Sequence, residues 1–274
     1  MKYWQVDSFT ARPFAGNPAG VCVLHEALST HLMQQIAAEV NLSETAFVEL
    51  SNTGNTIRWF TPKAEVNLCG HATLAAAHVL WSNNFITSDS IEFSSRSGAL
   101  LVTRGNAGDY TLNFPQQYPV ARPELRELAQ AIVGDNELEY VGSNGEDCLL
   151  VLRAPEAVTT LNPDPSLIMK LPERGVIVSS RSISAEYDFH YRTFYPKLGI
   201  PEDPVTGSAC TALGPYWSNI LGRHQLRALQ CSARGGQLTV SLQGDRVLIG
   251  GHAVTVLEGE LLGRFENPVL SHHS

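Results

Sequence analysis

The chain has 274 residues, of which 43% are hydrophobic and 17% charged, so it can form one large domain or two ordinary ones around a buried core. Its formal net charge of −8 argues against nucleic acid as a partner, because phosphate binding needs a basic face. No apolar run reaches membrane-spanning length and the first residues lack a signal-peptide segment, so we expect a cytoplasmic protein without a membrane partner. The five cysteines include no CxxC pair, which argues against a disulfide framework or a zinc site.

The first half of the chain combines several predicted strands with two predicted helices. The first helix follows Ser29, a suitable N-cap, and the second runs from His71 to Trp81, each with apolar residues at helical spacing. Strands are predicted at residues 2–9, 21–24, 46–48, 56–60, 91–93, 99–104 and 110–114. Residues 11–20 are rich in Gly and Pro, so we predict a loop there.

The second half repeats this order. Strands are predicted at residues 148–152, 176–179, 192–195, 238–242, 246–249 and 254–257. A helix is predicted from Ser208 to Leu221 despite Pro215, with Gly222 following its end.

The connection between the halves contains a short predicted helix at residues 123–133 and a proline-rich linker candidate at 115–123. We therefore predict an N-terminal lobe at residues 1–116 and a C-terminal lobe at 117–274, whose last strand could cross back to the first lobe. Strands outnumber helices and do not alternate regularly with them, which indicates an α+β fold.

An internal repeat supports this division. RWFTPK at residues 58–63 is matched by RTFYPK at 192–197, 134 positions later, and the Gly-x-Ala at 70–72 is matched at 207–209, 137 positions later. Gly98 and Asp109 correspond in the same way to Gly236 and Asp245. Near-constant spacing over three stretches indicates a duplication. It predicts two pseudo-symmetric lobes, each wrapping strands around one central helix, with a cleft between them.

Each half begins its central helix with a glycine, Gly70 or Gly207. A helix N-terminus offers free N–H groups and a partial positive charge, and glycine lets a ligand approach the backbone closely. One Gly-x-Ala alone would ordinarily be a turn. Two at equivalent positions of a repeat predict a site for a small anion, most simply a carboxylate.

Several residues near these glycines could move or direct protons. Glu44 precedes a strand predicted to be buried, where burial would raise its pKa toward that of a usable general base. Asp203 and His71 could also exchange protons, although an acid in a turn and a polar residue at a helix start are the ordinary interpretations. Ser208 could bind substrate or simply cap the helix, and Asn17 could orient a substrate or simply form a turn before Pro18.

Four motifs give these residues a family context. GNPAGV, NLSETAF, LCGHATLA and EDPVTGSA, spread from residue 16 to about residue 216, together resemble the phenazine-biosynthesis PhzF-like isomerases. That family is similar in fold to diaminopimelate epimerase and proline racemase, which implies two lobes, each with a curved, mostly antiparallel sheet around a central helix. Its characterised phenazine member isomerises trans-2,3-dihydro-3-hydroxyanthranilic acid without cofactor or metal. Relatives are commonly homodimers, and an edge strand or apolar face could support one here.

The resemblance assigns roles to the candidates. It implies that Glu44 shuttles a proton and that His71, Asp203 and Ser208 assist it. The predicted substrate-binding residues lie in the same motifs: Asn17, Ser43, Gly70, Thr206 and Gly207. We therefore predict a cofactor-independent isomerase that moves a proton on a small carboxylate-bearing substrate, with no metal and no cofactor.

Cys69 keeps a second interpretation open. The phenazine enzyme has alanine here, whereas thiol racemases of this fold place a cysteine before the glycine in both halves. The counterpart of Cys69 is Thr206, which cannot act as a second thiol, so a two-base racemase is disfavoured. A hydroxyproline-type dehydratase or epimerase that depends on Cys69 survives, because it needs only one strong base and a helix N-terminus would acidify the thiol. The ordinary interpretation, which we favour, is that Cys69 is a small buried residue. A non-catalytic protein that binds small anions is the third alternative.

Overall fold

The computed structural model describes residues 1–51 and 54–263, so residues 264–274 of the predicted C-terminal lobe lie outside the described residues. The strands are β1 (Lys2–Ser8), β2 (Asn17–Leu24), β3 (Glu44–Ser51), β4 (Gly54–Phe60), β5 (Glu65–Val66), β6 (Ser90–Ser95), β7 (Gly98–Arg104), β8 (Tyr110–Pro115), β9 (Val120–Ala121), β10 (Leu138–Ser143), β11 (Asp147–Leu152), β12 (Gly175–Arg181), β13 (Phe189–Tyr195), β14 (Ile200–Asp203), β15 (Gln225–Gln230), β16 (Gly236–Gln243), β17 (Arg246–Gly251) and β18 (Ala253–Glu260). The α-helices are α1 (Thr30–Val40), α2 (Gly70–Ser82), α3 (Arg126–Val133), α4 (Pro155–Thr160), α5 (Pro165–Ile168) and α6 (Cys210–Leu221). Turns of 3₁₀ helix lie at Pro123–Leu125, Pro196–Leu198 and Gly207–Ala209.

Strand pairing shows the duplication directly. In the first half β1–β2 is antiparallel, β2–β3 parallel, β3–β4 antiparallel and β4–β6 parallel. In the second half β10–β11 is antiparallel, β11–β12 parallel, β12–β13 antiparallel and β13–β15 parallel. Each strand therefore has its counterpart nine strands later, and the prediction of a pseudo-symmetric α+β fold is confirmed.

The two halves are joined by hydrogen bonds between strands. β8 pairs with β17, β9 with β10, and β18 returns to pair antiparallel with β1. The described strands consequently form one continuous sheet, which leaves few unpaired strand edges. The division of the chain into lobes at residue 116 stays a prediction.

A repeated ion pair fixes equivalent corners of the two halves. Arg58 makes a two-pronged bond to Glu65, with its Nε 2.7 Å from Oε1, and Arg192 makes the same bond to Glu202 at 2.7 Å. Each guanidinium group also lies over the aromatic ring two residues later in the chain. The distance to the ring centre is 5.1 Å for Arg58 over Phe60 and 4.9 Å for Arg192 over Phe194. The repeated RxF pattern therefore has a structural role.

The two central helices, α2 and α6, carry the core. Leu74 and Leu80 on α2 and Leu213 on α6 are completely buried in one shared cluster of side chains. Pro215 has no N–H for the Thr211 carbonyl, and the backbone N–H of Gln117 donates to that carbonyl instead at 3.0 Å, so α6 runs on as predicted. Within residues 1–51 and 54–263, none of the helices has the length and apolar character needed to cross a bilayer.

The predicted loop at residues 11–20 needs a correction. β2 begins at Asn17, and NPAG pairs with β1 in antiparallel register, with Asn17 opposite Ser8. Asn17 is completely buried there. Asn17 can begin a strand because its buried side-chain amide has hydrogen-bond partners inside the protein. The turn that an Asn before a Pro indicates is confined to the residues before Asn17.

Candidate active site

Asn17 joins the two halves of the molecule. Its amide nitrogen donates to the Oδ1 of Asp203 and to the carbonyl of Val205, both at 2.8 Å. With both amide hydrogens so used, its Oδ1 is buried and has no hydrogen-bond partner among the described residues. A buried acceptor without a partner is the kind of atom that a bound ligand or an ordered water satisfies.

His71, the second residue of α2, lies between the two acidic residues. Its Nε2 is 3.3 Å from the Glu44 Oε2 and 3.3 Å from the Ser43 hydroxyl. Its Nδ1 faces the Asn17 amide nitrogen at 3.3 Å and the Cys69 sulfur at 3.4 Å. An ionised Glu44 carboxylate only accepts hydrogen bonds, so we assign the ring hydrogen to Nε2, where it can donate to Glu44.

Glu44 is the first residue of β3, and only 13% of its side chain is exposed. Burial raises the pKa of the Glu44 carboxyl above its ordinary value, and the charge of Asp203 adds to that effect. The imidazole of His71 and hydrogen bonds from Ser43 and Cys69 act in the opposite direction. The result is a sheltered carboxyl group that is more basic than one on the surface.

Asp203 ends β14 and is also buried. Besides accepting from Asn17, it accepts through Oδ2 from the hydroxyl of Thr206. Thr206 in turn lies 2.6 Å, oxygen to oxygen, from Thr193. The Thr206 side chain therefore holds Asp203, and the substrate contact of Thr206 stays a prediction.

Gln230 supports this arrangement and was not found from the sequence. It is completely buried at the end of β15, donates to the Asp203 carbonyl at 2.7 Å and accepts from the Thr206 backbone N–H at 2.6 Å. A Gln at an inward position of an alternating strand was the signal available, since Leu226 and Ala228 on the same face are apolar.

The two glycine-led helix starts are not equivalent. α2 begins at Gly70, whereas Gly207 opens a 3₁₀ turn and α6 begins only at Cys210. A side chain at Gly207 would place its Cβ 2.8 Å from the ring of Phe9, so this glycine is required by packing. Ser208 is half-buried in the turn and, among the described residues, its hydroxyl does not join the chain of contacts around His71.

Cys69 precedes α2 and is buried beside His71. Burial raises the pKa of its thiol well above the ordinary value, and the charge of Glu44 raises it further. We expected the helix N-terminus to acidify this thiol. Burial and the neighbouring carboxyl groups outweigh that effect, because each disfavours a negative sulfur.

Comparison with known proteins agrees with the fold and these motifs. The family described as Phenazine biosynthesis-like protein (PhzC–PhzF) matches residues 6–259. An uncharacterized isomerase from Pseudomonas aeruginosa is 49% identical over 95% of this chain and 98% of its own length. A crystal structure of a PhzF family phenazine biosynthesis protein from Enterococcus faecalis superposes with a TM-score of 0.90 at 42% identity, covering 95% of this chain and 98% of that one. A probable proline racemase from Agrobacterium radiobacter, 11% identical with a TM-score of 0.59 over 95% of this chain and 92% of its own, shares the fold.

The matched region defines an isomerase of the diaminopimelate epimerase-like fold class. The chain belongs to the phenazine biosynthesis-like family. The family resemblance inferred from the four sequence motifs is thereby confirmed.

Proposed function

We propose that this isomerase moves a proton between two carbons of a small carboxylate-bearing substrate, with Glu44 as the general acid and base. The observation that carries the proposal is one chain of buried contacts from Glu44 through His71 and Asn17 to Asp203, which brings together residues of both halves. A buried carboxyl group with a fixed neighbour is suited to take a proton from one carbon and to deliver a proton to another.

His71 and Asp203 serve the proton transfer indirectly. With the hydrogen on Nε2, His71 orients the Glu44 carboxylate and stabilises the form that has lost its proton to substrate. Asp203 is held by Asn17 and Thr206, so its charge is fixed near the reacting carbons. Ser208, half-buried in the neighbouring turn, is assigned a substrate contact together with Ser43.

Substrate groups of opposite character bind at different points. The N–H groups at the start of α2, beside Gly70, and those of the turn at Gly207 and Ser208 suit a carboxylate. The unpartnered Oδ1 of Asn17 suits an amino or hydroxyl hydrogen. A small acid bearing such a donor group is consequently the proposed substrate class.

The chain's own residues supply the acid and the base, and we propose that no cofactor takes part. A cytoplasmic location and a homodimer remain part of the proposal. Sedimentation of the purified protein tests the dimer, and activity after exhaustive dialysis against a chelator tests the cofactor.

Proton exchange followed by NMR in D2O tests the mechanism. The panel contains dihydrohydroxyanthranilate, proline, the hydroxyprolines and diaminopimelate, presented to the wild type, Glu44→Gln and Cys69→Ala. Exchange that disappears in Glu44→Gln and persists in Cys69→Ala supports the proposal. Exchange that persists in Glu44→Gln contradicts it.

The Cys69-dependent dehydratase or epimerase is the second candidate. Its supporting observation is the 3.4 Å distance from the Cys69 sulfur to the His71 Nδ1, which could accept the thiol proton. The raised pKa of that buried thiol argues against it. Loss of exchange in Cys69→Ala alone would favour this candidate, and anion binding without exchange on any compound would favour a non-catalytic protein.

A further inference from the structure

We propose that Glu44, Cys69 and His71 form a binding site for a thiophilic divalent cation of the zinc class, and that the bound metal inhibits the enzyme. The proposal of metal binding is argued from the distances between the donor atoms, whereas the proposal of inhibition rests on the proposed role of Glu44.

The three donor atoms have the separations that such an ion requires. One ligand atom from each side chain lies within 4.8 Å of the other two. The sulfur is 3.4 Å and 4.0 Å from the two ring nitrogens of His71, and the Glu44 Oε2 is 3.3 Å from Nε2. Zinc bonds of about 2.0–2.3 Å in a tetrahedron put donor atoms roughly 3.3–3.7 Å apart. With Nε2 as the histidine ligand, the Glu44 oxygen already lies at that spacing, and the Cys69 side chain must rotate to bring its sulfur closer than 4.0 Å.

The chain holds these donors on a rigid frame. Cys69 and His71 flank Gly70 at the start of α2, and Glu44 begins the adjacent β3. The hydroxyl of Ser8 donates to the His71 carbonyl at 2.8 Å, which fixes the first turn of the helix. The ligands therefore need little ordering on binding.

The chemistry of the donors selects the metal. A thiolate and an imidazole favour zinc over magnesium or calcium, and a carboxylate completes three ligands with a fourth position open. Thiolate and carboxylate together neutralise the two positive charges, so the occupied site carries no net charge. Binding forms the metal–sulfur bond and releases the thiol proton to solvent.

The spacing of the cysteines gave no sign of this site. In a sequence, a CxxC pair indicates a zinc site. Here one cysteine, a histidine two residues later and a glutamate at the start of a strand come together only in the folded chain. A metal bonded to Glu44 removes the carboxylate that the proposed mechanism needs, so occupancy and proton exchange exclude each other.

Cobalt provides the test, because a cobalt–thiolate bond absorbs in the near ultraviolet. Chelator-treated full-length protein is titrated with Co²⁺, and a sulfur-to-cobalt band saturating at one equivalent and displaced by Zn²⁺ is expected. Cys69→Ser should abolish the band and weaken Zn²⁺ binding at least tenfold, and Glu44→Gln should weaken binding. Cys231→Ser, which alters a half-buried cysteine in the second half, should leave the band unchanged.

Two outcomes overturn the site. One is no band in wild-type protein whose circular dichroism shows it folded, and the other is a band that survives Cys69→Ser or disappears in Cys231→Ser. The inhibition is tested separately by adding Zn²⁺ to the exchange reaction. Metal binding with unchanged exchange overturns the inhibition and the role of Glu44. Absence of metal binding, with exchange still lost in Glu44→Gln, overturns the metal site alone.

Discussion

Asn17 and Asp203, 186 residues apart in the chain, are joined by a hydrogen bond of 2.8 Å between the amide nitrogen of one and the carboxylate of the other. Both are buried, and each comes from a different half of the duplicated fold. The bond ties the entry of β2 to the end of β14, so the candidate site and the junction of the halves share one interaction.

Replacing Asn17 by alanine should lower the free energy of unfolding by about 2–3 kcal/mol, because the Asp203 carboxylate and the Val205 carbonyl each lose a donor while buried. Urea denaturation measures the loss. Asn106→Ala, in an exposed turn, is the control and should change stability by less than about 0.5 kcal/mol. Equal effects of the two substitutions would mean that the bond contributes nothing.

Gly207→Ala should destabilise the protein by about 1–3 kcal/mol, since the new Cβ would lie 2.8 Å from the ring of the fully buried Phe9. Phe9 has a φ of 62°, so it has little freedom to withdraw. Gly70→Ala is the matched control, because its Cβ would lie 3.7 Å from Phe114, an ordinary contact. Thermal unfolding of both variants gives the comparison, and a Gly207→Ala variant as stable as Gly70→Ala would contradict the packing argument.

His78 should make stability depend on pH. It is half-buried on α2, 2.9 Å from the Tyr110 hydroxyl and 3.0 Å from that of Thr255, and desolvation of the ring lowers its pKa to about 4. The unfolded chain binds this proton near pH 6.5 and the folded chain only near pH 4, so stability falls as the pH falls between those values, by up to about 3 kcal/mol.

Urea unfolding of the wild type and of His78→Gln from pH 7.5 to 4 measures this contribution. The wild-type curve should be the steeper of the two within that window. Parallel curves would show that His78 is not held neutral by burial.

The sequence predicted the elements and residues that carry strong local signals. Gly-x-Ala at the helix starts and the repeated RxF motif predicted α2 and α6, and the four motifs contain Glu44, His71 and Asp203, which the fold brings together. Hydrophobic alternation and the duplication were enough for the α+β fold.

The features that could not be predicted from the sequence depend on contacts between segments that are distant in the chain. β15 was not predicted because polar residues at both of its ends hide its short alternation of polar and apolar residues. Gln230, the last residue of β15, was missed for the same reason. The orientation of Thr206 toward Asp203 is set by Gln230 and Thr193, neither of which is near it in sequence. The raised pKa of Cys69 likewise follows from burial beside Glu44, which the position before a helix does not reveal.

The central claim is that Glu44 transfers the proton. The most direct test is the rate of deuterium incorporation into an exchangeable substrate of the panel by the wild type, Glu44→Gln and Cys69→Ala, each shown to be folded. Removing a general base ordinarily costs 10²–10⁴-fold, so we predict a loss of that order in Glu44→Gln and less than about a tenfold loss in Cys69→Ala. Exchange at the wild-type rate in Glu44→Gln, with loss in Cys69→Ala, would contradict the account and assign the proton transfer to the thiol.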